Sequence, residues 1–252
     1  MKTITFIGNG NMALSIAKGL KNSYQIEVVG RDFEKINKFE DELGVEIKKA
    51  LIDDFNMDDK TVMFCVKPAN VEEIATRIRG KARVIFSVLA GTTLSKLKQN
   101  LHSHAVVRTM PNLAASIGKS MTTLTGDEEF KKEAEELLGT IGTTLWLSSE
   151  KELDIATALA GSGPAYLALI AEALTDGAVK QGMKRADAVR TMCGLFGGFG
   201  ELIQDIHPAL LKDAVMSPGG TTAAGYGALE DGNVRASCID AVAKAYKKAT
   251  EL

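Results

Sequence analysis

The sequence predicts an α/β fold, a doubly wound parallel sheet in the first part of the chain followed by an all-α domain. Three observations carry this. Short β-branched runs alternate with helix-period segments up to Ser149, β-rich runs then disappear, and alanine-rich helical periodicity continues to the C-terminus. The boundary divides the chain into residues 1–149 and 150–252, with no internal repeat or low-complexity linker.

The runs at 3–7, 25–29, 61–66, 83–88 and 105–108 are nearly continuous in apolar residues, as strands covered by helices on both faces must be. Helical patterns at 12–20, 33–43 and 70–78 lie between them, so successive strands are parallel and joined by right-handed crossovers. Residues 121–124 and 143–147 extend the sheet around a helix near 128–138. Ser149 with Glu152 three residues on is a capping-box signal that opens the helical part. Helices are expected at 150–181, broken or bent around Gly161 to Pro164, and at 185–204, 208–215, 222–229 and 234–250.

Composition narrows the partners. The chain has 252 residues, 45% of them hydrophobic, which is ample for ordinary cores. Thirty Lys and Arg nearly balance 32 Asp and Glu, so no net field favours nucleic acid or an anionic membrane, and small molecules or copies of the chain itself are the expected partners. Three well-separated cysteines, Cys65, Cys193 and Cys238, suit reduced, buried thiols in a cytoplasm. Met1-Lys2 leads straight into an apolar strand, without the pattern of a signal peptide, so a cytoplasmic location is expected. The uncharged run 155–171 contains Gly161-Ser162-Gly163-Pro164 and reads as a buried helical region rather than a membrane span.

The turn Gly8-Asn9-Gly10-Asn11-Met12-Ala13 follows the first strand directly and opens a helix, the context of a Rossmann-type dinucleotide site. Gly8 permits the tight turn, Gly10 lets backbone approach a pyrophosphate, and Ala13 stands where a small residue allows helix and strand to pack closely. The helix N-terminus, at Asn11 and Met12, offers unpaired N–H groups to the phosphates. The second strand ends in Gly30-Arg31, and Arg31 pairs well with a 2′-phosphate, which favours NADPH over NADH. Asp32 is the competing feature, either reaching a ribose or capping the next helix. Val66-Lys67-Pro68, Ala90 in 88–92, and Arg108 with Met110-Pro111-Asn112 close later strands at the carboxyl edge, where such sheets bind ligands. Lys67 taken alone also fits a solvated strand-end charge, and Pro111 a turn former.

The second half lacks the lysine or histidine that alcohol oxidation needs, since Leu167 and Ala171 occupy the two polar positions of a related dehydrogenase pattern. Asp213-Ala214-Val215-Met216-Ser217-Pro218-Gly219-Gly220-Thr221-Thr222 is its most unusual segment. It reads either as a cradle of N–H groups and hydroxyls for a small carboxylate or as a plain helix cap.

These segments, with Ala90-Gly91 and Gly161-Ser162-Gly163-Pro164-Ala165-Tyr166, resemble the pyrroline-5-carboxylate reductase family nearly end to end. The resemblance implies reduction of 1-pyrroline-5-carboxylate to L-proline by hydride from NAD(P)H, the final step of proline biosynthesis. It further implies an all-α C-terminal dimerisation domain, a homodimer, and in some members a larger ring of dimers. By matched position, Ser217, Gly220, Thr221 and Thr222 would hold the substrate carboxylate, with the Thr222 hydroxyl near the ring nitrogen as the catalytic proton source or relay. Two departures stand out: 45–54 lacks the asparagine that many relatives place near the third strand facing the adenosine ribose, and Asp205 stands where relatives often carry glutamate. The alternatives are a reductase of another cyclic imine and a non-catalytic NADP-binding sensor. Gly194, Gly197, Gly198 and Gly200 are read as close helix packing across a dimer interface, and His102 and His104 find no third metal ligand, so no metal site is assigned.

Overall fold

The computed structural model describes residues 1–251. They divide into two compact units, Met1–Gly163 with the segment from Lys244 onward, and Pro164–Ala243.

The first unit holds one sheet in the order β3-β2-β1-β4-β5-β6-β7-β8, formed by β1 Thr3–Ile7, β2 Gln25–Gly30, β3 Lys48–Leu51, β4 Thr61–Phe64, β5 Ala82–Ser87, β6 Ser103–Met110, β7 Ser120–Gly126 and β8 Gly142–Trp146. Alternate side chains feed two cores. Phe6, Val28, Met63, Phe86 and Val107 pack on one face with the helices α1 Asn11–Leu20, α2 Phe33–Leu43 and α5 Lys131–Gly139. Ile7, Val29, Phe64, Ile85 and Val106 pack on the other with α3 Val71–Arg77 and α4 Leu94–Asn100. Helix α1 buries Ala13, Ile16, Ala17 and Leu20, the spacing of a single apolar stripe.

Two elements escape the sequence pattern. Strand β3 is a half-buried edge strand of sequence KKAL and so lacks an apolar run, while α4 is only seven residues long and buries Leu97 alone. The sheet is also not wholly parallel. β7 runs antiparallel to β6 because only the short 3-10 turn Leu113–Ile117 joins them, too little chain for a crossover.

Arg108, near the end of β6, is fully buried. Its Nη1 donates to Glu150 Oε1 at 2.9 Å and its Nη2 to Asp154 Oδ1 at 2.7 Å, both on α6 Glu150–Ala156. Glu150 Oε1 also accepts the Leu94 N–H at 2.8 Å. The sequence pattern groups Arg108 with ligand-edge residues, whereas the structure makes it an internal anchor that ties α6 to the sheet. The N-cap of α6 is as read, with Ser149 Oγ accepting the Glu152 N–H, and the Glu152 carboxylate reaches back to accept the Ser148 N–H.

The helices α7 Gly163–Lys180, α8 Arg185–Asp205, α9 Pro208–Val215, α10 Thr221–Asp231 and α11 Val234–Thr250 follow. A π turn, Thr157–Gly161, lies just before α7, at the expected break or bend. These helices bury almost nothing within one chain: Thr175 in α7, Ala188 in α8, none in α9 or α10, and Ala249 in α11. Glu150–Lys180 is the stretch among the described residues that is long and apolar enough to cross a membrane by length and composition. The expectation of a buried helix there does not hold for the single chain, because Leu159, Leu167 and Leu169 are exposed. Cys193 and Cys238, expected to be buried, are exposed for the same reason, that their helices have no covering layer in the chain itself.

Removing the Arg108 side chain strands two carboxylates against the sheet. Arg108→Ala should lower unfolding free energy by about 3–5 kcal/mol, read as a shift of the urea midpoint.

Candidate active site

Gly8 leaves β1 with φ of +106°, and a Cβ there would lie 2.5 Å from the Cys65 carbonyl oxygen at the end of β4. Its N–H donates to Val29 O at 3.0 Å, while the Cys65 N–H donates to Ile7 O at 2.8 Å. The turn therefore draws the ends of β1, β2 and β4 together, and only glycine fits.

Gly10 is a different case. It is the N-cap of α1, exposed, with φ of −85°, and a Cβ placed on it would meet no protein atom within 4 Å. Nothing in the folded chain requires glycine here, and the space in front of it is open. Helix α1 has no side-chain cap and no acidic residue in its first turn, which leaves its first N–H groups and positive dipole end free for an anion.

A cavity of about 410 Å³ opens from this turn, lined by Gly8, Asn9, Gly10, Gly30, Arg31, Val66 and Lys67, with Ile52, Cys65, Asn70 and Ile74 among its walls. The Arg31 and Lys67 side chains have no ionic or hydrogen-bonding partner among the described residues. Asp32 does, because its Oδ1 accepts the Lys35 N–H at 2.8 Å as the N-cap of α2. The helix-capping alternative for Asp32 is thus the one the structure adopts, and Arg31 stands free at the cavity rim. Burial pushes the Cys65 thiol up.

The cavity brings together Gly8, Gly10, Arg31, Val66 and Lys67 of the sequence-predicted set. Asn11 instead lines a smaller cavity of about 250 Å³ with Lys35 and Lys38. Met12 packs against the core, Pro68 opens the 3-10 turn Pro68–Asn70, and Ala90 precedes Gly91, whose φ is +68°. The Asn112 amide is engaged within the protein: its Oδ1 accepts the Ala114 N–H and its Nδ2 donates to Ala160 O, both at 3.1 Å. The sequence pattern does not single out Asn9, Ile52, Asn70 or Ile74. Asn9 lies inside the turn motif itself, and Asn70 reads only as a helix start.

In the helical unit, Gly219 turns the chain with φ of +70° and the Gly220 N–H donates to Ser217 O at 3.0 Å. Gly220 is the N-cap of α10, with no side-chain cap, and any side chain on it would collide with the Ser217 hydroxyl. Ser217, Thr221 and Thr222 are exposed around the free N–H groups that begin α10.

A glycine turn at a free helix N-terminus, two unpartnered cations and a crevice at the carboxyl edge define a dinucleotide-binding α/β protein with an appended helical region. Residues 150–252 match the family described as "Pyrroline-5-carboxylate reductase dimerisation", and residues 3–91 match "NADP oxidoreductase coenzyme F420-dependent". A pyrroline-5-carboxylate reductase of Thermus thermophilus is 38% identical over 261 residues, covering 99% of this chain and 98% of the relative. The crystal structure of 1-pyrroline-5-carboxylate reductase from Streptococcus pyogenes superposes with a TM-score of 0.89 at 32% identity, over 99% of this chain and 98% of that one. The Plasmodium falciparum pyrroline carboxylate reductase with NADP bound shares the fold, with a TM-score of 0.83 at 24% identity over 99% and 98% of the two chains. The chain belongs to the pyrroline-5-carboxylate reductase family.

The two glycines should separate cleanly on mutation. Gly10→Ala should change stability by less than about 1 kcal/mol, as an N-cap substitution does, while weakening NADPH binding at least about tenfold. Gly8→Ala should instead destabilise the fold by roughly 1–3 kcal/mol or more, through strain at positive φ. Thermal melts beside fluorescence titration with NADPH would check both.

Proposed function

We propose that this protein is a pyrroline-5-carboxylate reductase that uses NADPH to convert 1-pyrroline-5-carboxylate to L-proline. The observation that carries the reading is the occurrence, in one chain of this family, of both the open Gly10 turn and the uncapped, hydroxyl-rich start of α10.

The dinucleotide supplies the hydride when bound. The chain's part is to hold and orient. Gly8, Gly10, Asn11 and Met12 present the turn and helix end to the pyrophosphate, with Val66, Lys67, Pro68, Ala90 and Asn112 along the same edge. Arg31 reads the 2′-phosphate, a charge-assisted contact that a ribose hydroxyl cannot match. Its freedom from partners, with Asp32 spent on the α2 cap, supports NADPH over NADH.

Ser217, Gly220, Thr221 and Thr222 hold the substrate carboxylate at the start of α10, where free N–H groups and hydroxyls favour an anion. The electrophile is the imine carbon, and the ring nitrogen must end as an amine carrying one more proton. The Thr222 hydroxyl donates or relays that proton, so no strong base is needed. Imine reduction thus fits a site with no lysine or histidine assigned to proton transfer.

The helical unit supports a homodimer, and a larger ring of dimers is an extension of the same reading. Leu167, Leu195, Phe199, Leu202 and Ile203 are exposed on α7 and α8, and a Cβ on Gly194, Gly197, Gly198 or Gly200 would meet nothing within 4 Å among the described residues beyond the helix's own backbone, so no contact in the chain offsets their cost. A second copy packed on these faces accounts for both. The proposed location is the cytoplasm, consistent with three unpaired cysteines.

Purified protein should oxidise NADPH only when 1-pyrroline-5-carboxylate is supplied; absence of turnover with both NADPH and NADH would overturn the reading. Arg31→Ala should lower the NADPH preference by about 10- to 100-fold with little effect on NADH, the span of a charged hydrogen bond. Thr222→Ala should reduce kcat by roughly a hundredfold with a smaller change in KM. Phe199→Glu should convert a dimer to monomer in sedimentation analysis, since it places a charge in an apolar contact.

A further inference from the structure

The cavity wall beyond Arg31 differs in chemistry from the turn. Ile52, in the 3-10 turn Ile52–Asp54 after β3, and Ile74, in α3, are both nearly fully buried, so each presents an apolar surface to the cavity rather than to open solvent. Asn70 lies four residues before Ile74, at the N-cap of α3, which sets the two near one another on that face. It is half-buried, yet its side-chain amide caps nothing and has no hydrogen-bond partner among the described residues. The other side-chain amide lining the cavity, that of Asn9, lies against Gly30 close to the glycine turn.

We infer that Asn70 is the specificity-determining residue for the base of the dinucleotide, its amide reading an adenine edge between the apolar surfaces of Ile52 and Ile74. This rests on the dinucleotide reading of the same cavity. A flat, largely apolar purine gains from burial against isoleucines, while its edge offers a donor amine beside an acceptor ring nitrogen. An asparagine amide is the side-chain complement of that pair, its carbonyl accepting from the amine while its NH₂ donates to the ring nitrogen. A half-buried amide left without partners in the protein is satisfied by this contact. Arg31 and Lys67 read phosphate charge and cannot tell one base from another.

The test uses the full-length protein and binding alone. Wild-type protein should bind adenosine 2′,5′-bisphosphate about tenfold more tightly than the inosine analogue, in which a carbonyl replaces the exocyclic amine. Asn70→Leu, of similar size, should weaken the adenosine ligand about tenfold and abolish the discrimination, while the Kd for reduced nicotinamide mononucleotide stays unchanged. Asn70→Ser serves as the second variant if the leucine protein does not fold. Equal wild-type affinity for the adenine and hypoxanthine ligands would overturn the inference, as would an unchanged adenosine Kd in a folded variant. Failure of the wild-type protein to bind NADPH at all would instead sink the dinucleotide reading, so the two failures are distinguishable.

Discussion

The approach of the Gly8 backbone to the Cys65 carbonyl is the constraint on which the cofactor end of the molecule rests. Three strands must end side by side for the crevice to exist, and the hydrogen bonds from Gly8 to Val29 and from Cys65 to Ile7 hold them there. A side chain at Gly8 would push β1 from β4 and move the start of α1. The free N–H groups of that helix would then no longer point where the cavity is. Strand packing, helix direction and anion recognition are consequences of one close contact.

Arg108 plays the corresponding part further across the same carboxyl edge, on β6. A fully buried guanidinium would be a heavy penalty in isolation, and its two carboxylate partners both come from α6. That explains why α6, helical in character like the residues after it, belongs to the compact unit reaching Gly163, although the sequence changes character at Ser149 and the dimerisation family match begins at residue 150. Asn112 makes a second tie within that unit, through the carbonyl of Ala160 in the π turn. Composition marks one boundary and contacts mark another because a helix can share the pattern of its successors while its polar residues are held by the preceding sheet.

The helical unit poses the opposite problem, too little burial rather than too much charge buried. Long helices whose leucines face outward do not satisfy the hydrophobic effect in one chain. The glycines of α8, which weaken a helix without tightening any contact in the chain, make the same point. A second copy covering these faces, as proposed above, would tie the stability of this region to association.

The sequence by itself determined the alternating core strands, the glycine turn, the cap at Ser149, the helix start at Pro208, and helix bounds as close as Phe33–Leu43 and Val234–Thr250. These are local features, written in period, propensity and turn chemistry, and they need no knowledge of distant partners. The motif segments also carried the family. Tertiary structure alone decided which residues of those motifs face the crevice. It gave Asp32 to a helix cap, Arg108 to a buried anchor and Asn112 to an internal clamp, and it brought Asn70 and Ile74 to the wall beside Arg31. Each of those outcomes turns on groups between 3 and 48 positions apart, as Asp32 with Lys35 and Asn112 with Ala160, and on which alternative partner lies nearer in space. A polar side chain carries no mark in sequence of whether its partner will be protein or ligand, because that is settled by what the fold has already satisfied.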